Sequence, residues 1–279
     1  MDIKVFLHEF IMFWIKQAYA CIFSIYIVGV IVVTSYWYPL ESLHRYDFIF
    51  LSAIGFQILL LVTKLETPRE AIVIVVFHIV ATIMELFKTS NAIGSWVYPE
   101  EFFFGYGNVP FFAGFMYSAV GSYIARVWRI FEFEYSYYPP KLLTIVVVIL
   151  IYLNFFTHHY IWDFRWVLLG IIILMFYKTD IYYKILDEHR KMPLLLGWFL
   201  VAFFIWIAEN IGTFTGTWLY PNQMNGWEIV PLGKLSSWYL LMLLSFVLVS
   251  LVNQITIRSK TDDAVHIDSL SNTSESSYK

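Results

Sequence analysis

The sequence predicts an all-α fold: a polytopic membrane helical bundle of eight transmembrane helices in two parallel four-helix repeats. Three observations lead there. Hydrophobic residues make up 59% of the chain, charged ones 14% and aromatic ones 20%, whereas a soluble domain is about 45–50% apolar and about 25% charged. Apolar runs recur at lengths of about 20 residues, which a helix rising about 1.5 Å per residue needs to cross about 30 Å of hydrocarbon. Finally, one stretch occurs twice. Glu85 is followed by Gly94-Ser95-Trp96-Val97-Tyr98-Pro99 and a closing Val109-Pro110; Glu209 is followed by Gly216-Thr217-Trp218-Leu219-Tyr220-Pro221 and Val230-Pro231. Internal repetition of this kind constrains architecture before any single element is assigned.

Taken in order, residues 1–16 mix Lys4, Glu9 and Lys16 with Phe6, Phe10, Phe13 and Trp14, the pattern of an amphipathic helix lying in the membrane interface. No small-residue cleavage site follows the first apolar run, so no cleavable signal peptide is expected. Eight spans are expected at 17–37, 46–63, 68–88, 111–131, 142–160, 164–183, 193–214 and 235–256, forming one transmembrane domain over 17–257 whose halves are about 17–131 and 142–257. The third opens on Thr67-Pro68-Arg69-Glu70, a capping box with proline at the first helical position, and Pro193 opens the seventh in the same way. Residues 258–279 are polar and serine-rich, the composition of a disordered tail.

With the N-terminus placed in the cytoplasm, 14 of the 18 Lys and Arg residues fall on that side, and only Arg45, Lys88, Arg165 and Lys234 on the other. This positive-inside bias predicts cytoplasmic termini in the cell membrane, with both Gly-x-Trp-x-Tyr-Pro loops facing outward. The third and seventh spans then run the same way, making the repeat parallel about an axis along the membrane normal. Arg126 and Arg129 read as topology determinants at the inner surface. The lone cysteine, Cys21, excludes an intrachain disulfide and a Cys₄ metal site, and a net charge of −3 carries no nucleic-acid signal.

Glu85 and Glu209 lie 17 and 16 residues beyond the prolines that open their helices, about 24–26 Å up each helix. Carboxylates so placed face a bundle interior or cavity and suit proton donation or relay; the same positions also suit structural clasps bonded to the loops that follow. His78 precedes Glu85 by two turns on the same face and is a candidate proton relay, or a core histidine bonded to its surroundings. His158, His159 and Asp163 offer imidazole and carboxylate ligands suited to zinc or iron, although adjacent helical residues point about 100° apart and also suit a lipid-boundary pair. Trp96, Tyr98, Trp218 and Tyr220 lie where aromatic belts form. Their fixed order demands a defined turn, and with Asn210 they are candidate substrate-binding residues able to stabilise a cation through ring quadrupoles.

Lys16-Gln17-Ala18, Thr63-Lys64-Leu65-Glu66-Thr67, Met84-Glu85-Leu86-Phe87-Lys88, Gly94-Ser95-Trp96, Asn154-Phe155-Phe156-Thr157-His158-His159, Ala208-Glu209-Asn210 and Tyr220-Pro221-Asn222 resemble a bacterial family of multi-pass membrane proteins defined only as a domain of unknown function. The resemblance covers nearly the whole chain and implies a membrane location without an activity. A narrower likeness, on an intramembrane Glu, an aromatic loop and Pro99-Glu100-Glu101, is to membrane carotenoid hydratases and small lycopene cyclases. The second repeat departs from it with Pro221-Asn222-Gln223.

Together these readings favour binding or acid/base conversion of a lipophilic molecule, an isoprenoid or lipid, in an outward-facing cavity. A small proton-coupled transporter and a non-catalytic membrane scaffold are the alternatives, so whether the protein is an enzyme stays open. The expected partners are the bilayer and that lipophilic small molecule. The sequence names no cofactor and no oligomeric state.

Overall fold

Each stretch expected to span holds a helix in the computed structural model, which describes residues 3–186 and 189–252. Helix α1 (Ile3–Ala20) breaks at Cys21 and continues as α2 (Ile22–Tyr36), the two axes bent by 68°. The surface helix expected over 1–16 therefore runs four residues further before the chain turns. Helices α3 (Arg45–Val62), α4 (Pro68–Lys88), α5 (Phe112–Ile130), α6 (Lys141–Thr157), α7 (Arg165–Phe176), α8 (Leu194–Phe214) and α9 (Gly233–Val252) follow. By length and composition α3, α4, α8 and α9 can cross a membrane, the α1–α2 pair is a fifth if counted as one bent span, and α6 and α7 are shorter apolar helices. The tail over 258–279 lies outside the described residues.

The capping box at Thr67 forms as the sequence implies: Thr67 Oγ1 accepts the Glu70 N–H at 3.3 Å, and Glu70 Oε2 accepts the Thr67 N–H at 2.7 Å. The sixth expected span is corrected. Its helix stops at Phe176, and Asp180–Lys184 is a strand (β4) pairing antiparallel with His189–Pro193 (β5) on one side and Glu134–Tyr135 (β3) on the other. The run Ile181-Tyr182-Tyr183 is β-branched and aromatic, and a short apolar run of that kind cannot be told from a helix end by periodicity. A hairpin of two-residue strands, β1 (Gly105–Tyr106) with β2 (Val109–Pro110), closes the first long loop.

Helix α5 packs against α1, α2, α3, α4 and α9, and its sequence explains how. Gly114, Ser118, Ser122 and Ala125 are small residues, all buried, spaced so that helices approach closely. The approach to α4 is close enough that a Cβ on Gly114 would strike the His78 ring and one on Gly121 the Phe77 ring. Ser118 Oγ donates to the Ile74 carbonyl at 2.9 Å across this contact.

The outer faces carry the reverse pattern. On α4, Ile72, Val75, Ile79 and Ile83 form one stripe and each is more than half exposed, a surface that lipid satisfies and water does not. At the opposite end from the repeated loops, Arg126 is fully buried, 3.5 Å from Glu66, which also accepts from Gln57 and Ser122. Arg129 pairs with Glu70 at 3.0 Å.

Candidate functional site

The two Glu-to-loop segments leave their helices through glycine. After α8, Gly216 takes φ 67° and the Thr217 N–H reaches back to the Gly212 carbonyl at 3.0 Å while the Gly216 N–H bonds Thr213, the paired closure of a Schellman cap. After α4 the chain adds a turn, with the Gly94 N–H on the Ser90 carbonyl at 2.8 Å and Gly94 at φ 57°. That turn accounts for nine residues between Glu85 and Gly94 against seven between Glu209 and Gly216. Glycine holds this left-handed backbone without Cβ strain. The middle residues of the two motifs then meet: Val97 and Leu219 exchange both backbone hydrogen bonds at 2.9 Å, an isolated antiparallel bridge.

Each motif folds aromatic donors back onto its own carboxylate. Glu85 Oε2 accepts the Trp96 indole N–H and the Tyr98 hydroxyl, and Oε1 accepts the Tyr117 hydroxyl, all at 2.8 Å. Glu209 Oε2 accepts the Trp238 indole N–H at 2.7 Å, and Oε1 accepts the Tyr220 hydroxyl. Tyr117 stands seven residues after Pro110, and Trp238 seven residues after Pro231. Glu85 thus has three donors and Glu209 two, and the last donor of each cluster comes from the same place in the following helix, α5 or α9. Both carboxyl-bearing residues are buried, Glu85 1% and Glu209 5% exposed, and an indole N–H can only donate. Burial, then the neighbouring Glu85, pushes the Tyr98 phenol well above its ordinary value; burial and Glu209 do the same to Tyr220. Both phenols therefore stay protonated as donors.

Lys234 lies between the two clusters, its Nζ 4.2 Å from the Tyr220 ring centre and 5.5 Å from that of Trp96, within cation–π range. The start of α3 locks the loops together. Arg45 chelates Glu100 with Nε 2.9 Å from both carboxyl oxygens, the Tyr46 hydroxyl bonds the Thr217 carbonyl at 2.8 Å, and Asp47 accepts the Phe103 and Phe104 N–H groups at 2.8 and 2.7 Å.

A cavity of about 970 Å³ runs from both glutamates between α2, α5, α8 and α9 to Phe133, Tyr135 and Met192 at the far end. Glu85, Glu209, Trp96, Tyr98, Trp218 and Tyr220 all line it, so the structure gathers these six sequence candidates in one place. Of the others, His158 also lines it, whereas His78, His159, Asp163 and Asn210 do not. The His78 ring sits on Gly114 and faces Phe115 at 4.8 Å between centroids, with Nδ1 unpartnered; the close α4–α5 contact takes the face that sequence spacing assigned to Glu85. Asn210 is a loop fastener, its side chain donating to the Trp206 carbonyl at 2.8 Å and accepting the Val230 N–H at 2.9 Å. Glu100, on which the likeness to carotenoid-pathway enzymes turned, is held by Arg45.

The metal candidates His158, His159 and Asp163 take other partners. Among the described residues no three His, Cys, Asp or Glu side chains converge as a metal site. Instead the Lys88 amine lies 3.3 Å from His158 Nε2 and 2.8 Å from His159 Nε2, meeting both nitrogens. His158 Nδ1 is 2.8 Å from the Asn154 carbonyl, so it donates there and turns the Nε2 lone pair to Lys88. Asp163 pairs with Arg165 at 3.1 Å and accepts from Asn154.

Sequence reasoning missed Tyr117, Trp238, Lys88, Arg165 and Lys234 as cavity residues. A signal for three of them existed: Lys88, Arg165 and Lys234 are among the four cations on the sparse side of the charge count, and the fourth, Arg45, joins the two loops.

Fold and site define a mostly helical protein with several helices fit to span a membrane and two buried carboxylates at one end of a long apolar cavity. The chain belongs to the family described as protein of unknown function (DUF817), which matches residues 9–246. It is 41% identical over 246 residues to the uncharacterized protein YoaT of Bacillus subtilis (strain 168), covering 88% of this chain and 92% of that protein. No solved structure matches.

Proposed function

We propose that the protein binds a lipophilic isoprenoid or lipid molecule in this cavity, with Glu85 and Glu209 as the general acid and base that convert it. The observation that carries the reading is the sharing of one cavity by both carboxylates, at its polar end, while the rest of its wall is apolar. A long apolar shaft binds a hydrocarbon chain by burial alone, and a few convergent polar groups fix its orientation. Trp96, Tyr98, Trp218 and Tyr220 form the lid around the reacting end, where ring faces can stabilise positive charge.

The same reading takes the protein as eight-spanning and built of two parallel halves. The bridge between equivalent residues Val97 and Leu219, and the matched offsets of Tyr117 and Trp238, support a two-fold relation between them. The charge count supports cytoplasmic termini in the cell membrane, with the paired loops outside. The test is the Glu85→Gln, Glu209→Gln double variant expressed in the native host. The expected result is an altered membrane lipid or pigment profile; an unchanged profile with the variant folded and at normal abundance removes the enzymatic reading and leaves a scaffold.

A second reading, a proton-coupled transporter, is favoured by one observation: two buried carboxyl groups share one cavity with Lys234 beside them, a set able to hand on a proton. Uptake into proteoliposomes that collapses when the proton gradient is dissipated would favour it over lipid turnover without a gradient.

A further inference from the structure

We propose that the loop end of the cavity is a headgroup site for an oxyanion, so that the molecule bound is a phosphate-headed, single-chain or isoprenoid amphiphile. This rests on the lipophilic-cavity reading and names its substrate class. The two glutamates are not the groups that lack a counter-charge there, because Lys234 lies beside them and aromatic donors bond them. Lys88 is. It is 5% exposed and lines the cavity, yet among the described residues its amine has no carboxylate within ion-pair distance; its contacts are the two neutral imidazole nitrogens of His158 and His159.

A buried lysine amine held only by imidazole nitrogens has no counter-charge, and an anion bound beside it would hold it as the ammonium. Lys234 and Arg165 line the same end, as do Ser95 and Ser237, whose hydroxyls make no hydrogen bond among the described residues. Two lysines and two free hydroxyl donors, beside an Arg165 already paired with Asp163, offer charge and donors to the three oxygens of a phosphate monoester, with lysine acting as a point charge. The asymmetry between the halves supports this placement. The residue three after Glu85 is Lys88, whereas the residue three after Glu209 is Gly212, against which the Trp218 ring packs. The carboxylate clusters repeat, but the cation does not, as expected if one half holds the headgroup. From Met116 to Trp128 the cavity follows α5 for 12 residues, about 18 Å, a shaft suited to a chain.

The test uses the purified full-length protein in detergent with three probes: farnesyl phosphate, farnesol and inorganic phosphate, with binding measured by native mass spectrometry and thermal shift. Farnesyl phosphate is expected to bind at least about tenfold more tightly than farnesol, with inorganic phosphate much weaker than either. Lys88→Gln is expected to abolish the preference while retaining farnesol binding, and Lys88→Arg to restore part of it. Equal binding of the phosphate and the alcohol by the wild-type protein overturns the headgroup site and leaves the lipophilic cavity standing. Binding of neither overturns the cavity reading as well. Inorganic phosphate binding as tightly as farnesyl phosphate overturns the amphiphile and makes this a site for the free ion. These three outcomes need only the wild-type protein, so a Lys88 variant that fails to fold does not shield the proposal.

Discussion

At the scale of single residues, the carboxylates are acceptors around which aromatic donors are arranged. Glu85→Ala would leave the Trp96 indole and the Tyr98 and Tyr117 hydroxyls without an acceptor in a buried setting, at about 1–3 kcal/mol for each donor left unpaired. Glu85→Gln keeps an amide oxygen and loses less. Thermal unfolding in detergent should rank wild type above Glu85→Gln and Glu85→Gln above Glu85→Ala. His78 makes a second case. Gly114→Ala places a methyl where the His78 ring lies and should cost about 1–3 kcal/mol as overpacking; His78→Ala in the same background should recover part of that loss, a coupling a double-mutant cycle measures. The sequence showed that Glu85 and His78 lie on one helical face, but helical periodicity does not say which neighbour that face meets. Small residues on α5 decided it, and they were legible only once α5 was known to pack there.

At the scale of elements, the site depends on two loops that brace each other. The repeated Gly-x-Trp-x-Tyr-Pro order told that each helix ends in a defined turn, and the left-handed glycines explain why. That the two turns bridge at Val97 and Leu219 was not in the sequence, because backbone pairing between distant segments leaves no mark in residue type. Nor was the pairing of Tyr117 with Trp238: their offsets from Val-Pro agree, but their side chains differ. Leu219→Pro removes the N–H that Val97 accepts and constrains the backbone. Hydrogen exchange of residues 94–100 should then accelerate by roughly tenfold or more, while that of α3 and α6 stays near wild type. The sixth expected span failed for a different reason. Ile181, Tyr182 and Tyr183 are apolar enough to extend a helix, and strand pairing with β3 and β5 claimed them.

At the scale of the whole molecule, composition alone carried the membrane assignment, since a chain 59% hydrophobic has no other way to cover its surface. The charge count pointed to more than an expected orientation. Its four exceptions, Arg45, Lys88, Arg165 and Lys234, are the cations that the loop end uses, three on the cavity wall and one clamping Glu100. Cations that break a topology bias are therefore worth treating as site candidates, because a bilayer protein keeps them there against that bias.

The central claim is that one cavity joins both carboxylates and holds an amphiphile along its apolar shaft. Val201, on α8, lines that shaft away from the carboxylates, and Val201→Trp would obstruct it there while leaving Glu85 and Glu209 in place. The most direct measurement is native mass spectrometry of wild-type and Val201→Trp protein extracted from the native membrane. A lipid-sized adduct present on the wild type and lost from the folded variant is the predicted result. An adduct retained at equal occupancy in the variant, or none on the wild type, would contradict it.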